Sequence, residues 1–542
     1  MKRNVQSQLP SSDALAVNEA AAAKSFHFSL LILFGVAFVF FLFYKLWHFN
    51  NLKYCSDLFL YYQVLNNSLH GHFFYENIYG FQLGIHAYLL LLLFLPVVAL
   101  FKSAIALLVL WTLAYVSALF PVYAIVDTTI TSLDIRPKDN TNTFRLLPFL
   151  VALLYLIIPN HIRLFNDSVY GFHPDMLFLP AIIWAFYFII IKNNKFAYYI
   201  CLAAILLIKE EMAVYMILFA FFLFLKKEMR KTALITLLIS GVYFIGATLL
   251  IKHYSHYSYS IAHSMTYNMA LVSKNGEYGD NVFKVGVYLL MHPWLIINIS
   301  ILKKILINTK SFLYISLLCP EILLLQLPKL VLMQNCPFLT ECSWHFTQIY
   351  SFAFLAFVVG LHRLEVIASS IISGKYCLLC NARKTAHESN DTHTIQKSTT
   401  KNNKTVLYIL TGIVIVLLVT AIIGSPIGRC WRFLTLHTDQ KVKEISVDVE
   451  KIINQIDKKN TLCVNMYLLK YFENYSTVSF SQNPTIEPIL RNDPDYFIVY
   501  KDELALLQTK VLDAFQLKEK YKYTIDSNYT HLVVVKKEKS NR

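Results

Sequence analysis

"FHFSLLILFGVAFVFFLFYKLW", residues 26–47, decides what kind of protein this is. Apart from His27 and Lys45 it offers lipid an apolar surface, and at a rise of about 1.5 Å per residue a helix of this length matches a hydrocarbon core about 30 Å thick. The run is too long for the apolar region of a signal peptide and has no small-residue cleavage site behind it, so it stays in the membrane. Similar blocks recur near 103–126, 145–159, 175–191, 196–209, 211–226, 232–251, 284–302, 311–333, 346–361 and 405–424. The sequence therefore predicts a mainly α, polytopic helical bundle of about eleven spans.

Composition agrees. Of 542 residues, 56% are apolar and 15% charged, whereas soluble domains run at about 45–50% and about 25%. The formal charge of +15 invites a nucleic-acid reading. The basic residues cluster instead at segment ends and in short loops, where they orient helices and meet anionic head groups; membrane lipids, not nucleic acid, are the implied partners. The nine cysteines form no framework. Cys377 and Cys380 make one CxxC without a second ligand pair, which does not build a zinc site. Cys336 and Cys342 flank a short loop and would pair only if that loop faces an oxidising compartment.

Positive charge sets the expected orientation. Lys2, Arg3 and Lys24 place the N-terminal tail, 1–25, in the cytosol, along with "KKEMRK" at 226–231 and the basic loop 363–404. Arg136, Lys138 and Arg145 must then be cytosolic too. That count leaves no crossing for residues 86–101, which are read as a helix lying along or dipping into the outer interface. The alternative is an ordinary transmembrane helix paired with 103–126. The expected protein is thus a multi-pass plasma (inner) membrane protein with a transmembrane domain over 26–425. Its outer face receives the loop 48–102, the loop 160–174 and a C-terminal domain. Within that last domain, over 430–542, "KVKEISVDVEKIINQID" has helical periodicity, while "TLCVNMY", "TVSF", "DYFIVY" and "THLVVVKK" are short β-rich runs. They predict a small α/β domain.

Three polar clusters on that face carry the residues that could do chemistry. The first is Asp57, at the start of the amphipathic "SDLFLYYQVLNNSLHGH"; an acid there also simply favours a helix N-terminus. The second, "NHIRLFNDSVYGFHPDMLFLP" at 160–180, crowds Arg163, Asp167, His173 and Asp175 into a short loop. Pro174 suits a first helical turn with Asp175 beside it, which accounts for one carboxylate and leaves the rest unexplained. The third is Lys209-Glu210-Glu211, which interrupts a long apolar stretch; ionisable groups at such depth usually face a cavity or one another. Glu321 and Lys329 are a weaker case of the same kind. Together these supply carboxylates for base or metal work and cations for a phosphate. No glycine-rich phosphate loop is present, so no nucleotide site is implied.

Four stretches, "SDLFLYYQVLNNSLHGHFFY", "GFHPDMLFLPAIIWAFYFII", "LLIKEEMAVYMILFAFFLFL" and "ECSWHFTQIYSFAFLAFVVGLHRL", resemble in order the DUF2079 family of predicted membrane proteins. That family looks related to the GT-C glycosyltransferases, which use polyprenyl-phosphate-linked sugars. The resemblance implies a GT-C-like fold and Asp57 as catalytic base, since those enzymes carry an acidic residue just after the first span. It implies acceptor or metal binding by Asp175, His173 and Asp167, and donor-phosphate binding by Lys209 and Arg163. Lipid A aminoarabinose transferases have a "PDM"-like stretch similar to Pro174-Asp175-Met176, and a "TKG"-like turn where this chain has Ile208-Lys209-Glu210. The glutamate in place of glycine is a departure, as is Ser56 where an acidic pair is usual. The implied partners are a polyprenyl-phosphate sugar donor and an acceptor glycan, lipid or protein. The implied cofactor is a divalent cation, Mg or Mn. Two other functions fit the same residues: a lipid or solute transporter or flippase, and a non-catalytic membrane assembly or sensing protein.

Overall fold

The structure is a computed structural model that describes residues 12–77, 80–131, 141–165, 170–255, 277–278, 282–335, 343–372, 392–424, 438–480, 489, 492–513 and 521–538. Asp167, the Cys336–Cys342 loop, the CxxC at 377–380 and the basic residues Arg136 and Lys138 lie outside the described residues.

The first helix, α1 (Ser12–Asn50), begins well before the apolar block, so the tail expected over 1–25 is helical from Ser12 onward. Five more described segments are long and apolar enough to cross a membrane: Ile105–Thr129, Pro174–Ile191, Lys227–Tyr254, Trp344–Ile371 and Thr405–Ile423. Two further apolar pairs are bent, by 46° between Leu146–Ile157 and Pro159–Phe165 and by 94° between Lys284–Met291 and Pro293–Phe312. A proline opens the second half of each pair. It has no N–H to give and disfavours a helical residue before it, so the helix must turn there.

The other expected crossings are helical but short or broken. α9 (Lys195–Ile208) and α10 (Met212–Phe224) are each about 20 Å long at 1.5 Å per residue, less than a bilayer core needs. Residues 311–333 form successive short turns, interrupted where Leu313 and Tyr314 take positive φ. Leu89–Phe101 is likewise a short apolar helix, with a 3-10 start and an α-helical end, α3 (Leu95–Phe101).

Over 440–538 the expected α/β domain is present. Five strands, β3 (Thr461–Asn465), β4 (Ser476–Phe480), β5 (Tyr496–Tyr500), β6 (Lys522–Asp526) and β7 (Leu532–Glu538), form a sheet in the order β4-β3-β5-β7-β6. The first three are parallel; β7 runs antiparallel to β5 and to β6. Side chains alternate between faces along a strand. Leu462, Val464, Ile498, Leu532 and Val534 join the large core shared with the membrane bundle. Cys463, Phe497, Val499, Val533 and Val535 pack on the other side against Leu507, Val511 and Leu512. The Gln440–Ile453 helix buries Val442, Ile445, Val449 and Ile452, the spacing of one helical stripe. Edge strand β6 was not among the expected strands.

This domain is docked through α2 (Ser56–Leu69) and its surroundings. Gln63 Nε2 donates to Thr477 O at 3.2 Å, Asn77 Nδ2 to Thr477 O at 3.1 Å, and Asn492 Nδ2 to Asn77 O at 2.8 Å. At a second contact, Ala104 N donates to Glu473 Oε1 at 3.3 Å, and Lys470 Nζ donates to Asn50 O at 3.0 Å. Burial pushes the Glu473 carboxyl up to about 7, against the opposing pull of Ser103, the Ala104 amide and Lys470. Burial also lowers Lys470 to about 8, and Tyr62 faces the same carboxyl.

A carboxyl raised by folding stabilises the docked state fully below its ordinary range and progressively less as pH rises through its folded value. The stability difference between the unsubstituted chain and Glu473→Gln, followed by thermal unfolding from about pH 4.5 to about pH 7.5, is expected to change by about 1–3 kcal/mol, the unsubstituted chain losing ground as pH rises. A difference that stays constant across this window would mean that Glu473 does not titrate there.

Candidate functional site

Ionisable residues from distant parts of the chain meet at the break between α9 and α10. Lys209 ends α9 in an extended conformation, and the three charged residues of the break fan out to three different partners. Lys209 Nζ donates to Asp175 Oδ2 at 3.3 Å. Glu210 accepts from His86 Nδ1 at 2.7 Å and from the Ala87 amide at 3.0 Å. Glu211 accepts from Lys329 Nζ at 3.1 Å and from Gln348 Nε2 at 3.3 Å, with Lys209 Nζ 3.9 Å away. Asp175 is 0% exposed and Lys209 5%. Charges so placed lose several kcal/mol of hydration each, which only close pairing offsets.

His173 sets the other side of Asp175. It precedes the turn Pro174–Leu177 that opens α8 (Phe178–Phe186), and its Nδ1 accepts from the Asp175 amide at 3.2 Å. Because that amide can only donate, the imidazole proton sits on Nε2, which is 2.9 Å from Tyr61 Oη on α2. The ring stacks on Trp344, centroids 3.6 Å apart, and meets Tyr61 and Tyr88 edge-on. Asp175 Oδ1, 3.4 Å from Nδ1, has no hydrogen-bond partner among the described residues. Neither have Trp344 Nε1, His345 Nδ1 and Gln348 Oε1. Buried polar atoms without partners cost about 1–3 kcal/mol each, and four of them beside a buried ion pair make this cluster a candidate site.

The segment leading to His173 is held from below by a lysine that sequence reading took only as part of the first span. Lys45 is fully buried, donates to Gly171 O at 2.8 Å and lies over the rings of Phe165 and Tyr54. Gly171 has φ +69°, and a Cβ there would come within 2.8 Å of the Tyr54 ring. Only glycine tolerates both the conformation and the approach.

The expected residues thus divide. Asp175, His173 and Lys209 come together. Asp57 lies in the first turn of α2, one turn before Tyr61 and on the same helix face, half-buried. α2 therefore sits between the charge cluster, which it meets through Tyr61, and the sheet domain, which it meets through Gln63. Arg163, in the last turn of α7 (Pro159–Phe165), is exposed and next to Tyr350, outside the Asp175–Lys209 contacts. Glu321 pairs with Arg363 rather than with Lys329, which belongs to the Glu211 group. Tyr61, Tyr88, His86, Trp344 and Gln348 were not singled out; aromatic and amide residues carry no charge signal in an apolar sequence.

Among the described residues no group of three or more His, Cys, Asp or Glu side chains could hold a metal ion. The donor set explains why: one oxygen of Asp175 already faces the Lys209 ammonium, and His173 Nδ1 is engaged by an amide. Among the described residues this arrangement does not fit a divalent cation.

No curated protein matches the chain. Among solved structures it is similar to ArnT from Cupriavidus metallidurans bound to undecaprenyl phosphate, at 10% identity over 93% of this chain and 97% of that one, with a TM-score of 0.45. Residues 45–533 match the family described as predicted membrane protein DUF2079. With its apolar spans and that match over most of its length, the chain is an integral membrane protein and belongs to the DUF2079 family.

Proposed function

We propose that this protein is a glycosyltransferase of the GT-C kind, moving a sugar from a polyprenyl-phosphate donor to an acceptor hydroxyl at the outer membrane face. The observation that carries the reading is the buried Asp175–Lys209 pair, flanked by His173 and roofed by the helix that bears Asp57. An acid and an ammonium at one such place serve a reaction in which a hydroxyl loses a proton while a phosphate gains charge.

Asp57 takes the proton from the acceptor hydroxyl. The oxygen attacks the anomeric carbon on the face opposite the phosphate, the carbon–oxygen bond to the phosphate breaks, and its electron pair leaves on the phosphate oxygen. The configuration inverts. Lys209 offsets the new charge on the departing polyprenyl phosphate, which returns to the bilayer. Asp175 holds Lys209 charged and aimed, and His173, its tautomer set by the Asp175 amide, orients the acceptor together with Tyr61. Arg163, exposed on α7, meets the donor phosphate on its way in.

The test supplies purified protein in lipid with a polyprenyl-phosphate sugar and an acceptor mixture, and measures free polyprenyl phosphate. Release that depends on acceptor is the expected result. Movement of the lipid across the bilayer without release would favour a flippase, and neither activity would favour an assembly role; either would overturn the enzyme.

A further inference from the structure

Glu211 is held as a ligand is held. Its carboxylate is gripped by side chains from three separate elements: Lys329 Nζ at 3.1 Å, Gln348 Nε2 at 3.3 Å and Lys209 Nζ at 3.9 Å. The holders are interior groups, Lys329 being 1% exposed and Gln348 0%. The Glu211 side chain is 23% exposed, far more than either lysine, so it is the member of the cluster that can withdraw. Lys209 has Asp175 as its nearer partner. Among the described residues Glu211 is the only carboxylate within ion-pair distance of Lys329.

The donors here are only partly engaged: Lys329 and Gln348 both donate to Oε1 of Glu211, and Lys209 Nζ stays 3.9 Å from Oε2. Besides the two ammonium groups and the Gln348 amide, the Trp344 indole N–H has no partner among the described residues, and the Lys209 ammonium lies 5.7 Å from that ring. A carboxylate presents two oxygens, whereas a phosphate head group presents three or more strong acceptors in a tetrahedral array. With Glu211 in place, Lys209 and Lys329 face Asp175, Glu211 and Glu210, the last of these engaged by His86. With Glu211 withdrawn, Lys329 has no carboxylate within ion-pair distance among the described residues, which favours an incoming anion at low dielectric.

We propose that Lys329, Gln348, Lys209 and Trp344 form a phosphate cradle in which the Glu211 carboxylate stands in for the ligand, so that a phosphate head group binds by displacing it. The stand-in holds Lys329 and Lys209 in position while the site is free, and it sets a threshold that weak anions do not pass. This rests on the functional reading above for the kind of anion, but its geometry is separate from the catalytic base.

The experiment measures binding of undecaprenyl phosphate, and separately of inorganic phosphate, to the full chain in lipid nanodiscs, read by tryptophan fluorescence and thermal shift. Glu211→Gln is expected to bind the lipid phosphate about tenfold more tightly, and Lys329→Met at least about tenfold more weakly, than the unsubstituted chain. If inorganic phosphate responds in the same way, the cradle reads the head group alone; if only the lipid responds, the polyprenyl chain contributes as well. Both outcomes support the stand-in. Should Glu211→Gln fail to fold, Glu211→Asp, which pulls the carboxylate back by one methylene, is expected to shift binding in the same direction by a smaller factor. Lipid binding by the unsubstituted chain that Glu211→Gln leaves unchanged or weakens would overturn the stand-in and leave the enzyme reading intact. Binding to neither chain would overturn both.

Discussion

Asp175→Asn is expected to be the most damaging single substitution in the protein. It leaves Lys209 buried with its nearest counter-charge, at 3.3 Å, gone, and breaking one side of a buried ion pair costs about 3–5 kcal/mol because the remaining charge stays desolvated. The melting temperature in detergent or nanodiscs should fall accordingly, and acceptor-dependent release of polyprenyl phosphate should be lost. Loss of both readouts would not by itself separate folding from chemistry. Asp175→Asn combined with Lys209→Met does, since removing both partners takes away the uncompensated charge as well as the pair. The double variant is expected to regain most of the stability lost in the single one, a strongly non-additive result for groups in contact. It should regain none of the activity, because the ammonium that offsets the charge on the departing phosphate is gone. A double variant as unstable as the single would show that Asp175 matters through His173 and the turn it opens. A double variant that turns over normally would remove both residues from the mechanism.

How far that pair could be seen in the sequence depends on what the residues look like against an apolar background. Lys209 stood out because three consecutive charges interrupt apolar helix, and the cost of burying charge makes such an interruption meaningful. Asp175 stood out beside His173 and Pro174. Lys45 did not: a lysine near the end of a span ordinarily extends its head group to the interface, and nothing local says that this one turns inward to hold Gly171 O. Arg163 shows a different limit. The resemblance implied a phosphate ligand, and the structure places the side chain exposed on α7, outside the Asp175–Lys209 contacts. The partner of Glu211 illustrates the same limit, since Glu321 and Lys329 lie close in sequence and bind different groups. Pairing among buried charges is a tertiary property.

The fold followed a similar rule. Apolar blocks revealed where helices lie, but not which are straight, because a hydropathy pattern does not register the break at Leu313–Tyr314 or the 94° turn before Pro293. In the C-terminal domain the buried strands were legible as β-branched runs, whereas β6, "KYTID", is an edge strand with little burial and so little pattern. The non-spanning reading of 86–101 rests on counting positive charge, and the segment there is a 3-10 turn running into a short α-helix, of the same length class as α9 and α10. The role of the opening loop is clearer in the structure than it was in the sequence. α2 touches His173 with one residue and the sheet domain with another two positions on, so the loop 48–102 supplies the layer between them.

That position makes Asp57→Asn the sharpest test of chemistry as opposed to architecture. Asp57 precedes Tyr61 by one helical turn, which places their backbones about 6 Å apart on one face of α2, and Tyr61 Oη is 2.9 Å from His173 Nε2. If Asp57 acts as general base, replacing its carboxylate by an amide of the same size should lower acceptor-dependent release by about 10²–10⁴-fold. Folding should suffer little. A carboxylate in a first helical turn contributes about 0.3–1 kcal/mol through the helix dipole, so the melting temperature is expected to move by only a few degrees. Binding of undecaprenyl phosphate should be unaffected, because the base meets the acceptor and not the donor phosphate. An architectural Asp57 gives the opposite pattern, with stability reduced by that small amount and turnover intact. Asp57→Glu adds a further constraint. It keeps the charge and the helix-dipole contribution but advances the carboxylate by one methylene, and a proton transfer that needs hydrogen-bond reach should recover only partly. Full activity in Asp57→Asn would move the base elsewhere on the cluster, and Asp175 could not replace it while Lys209 holds its carboxylate.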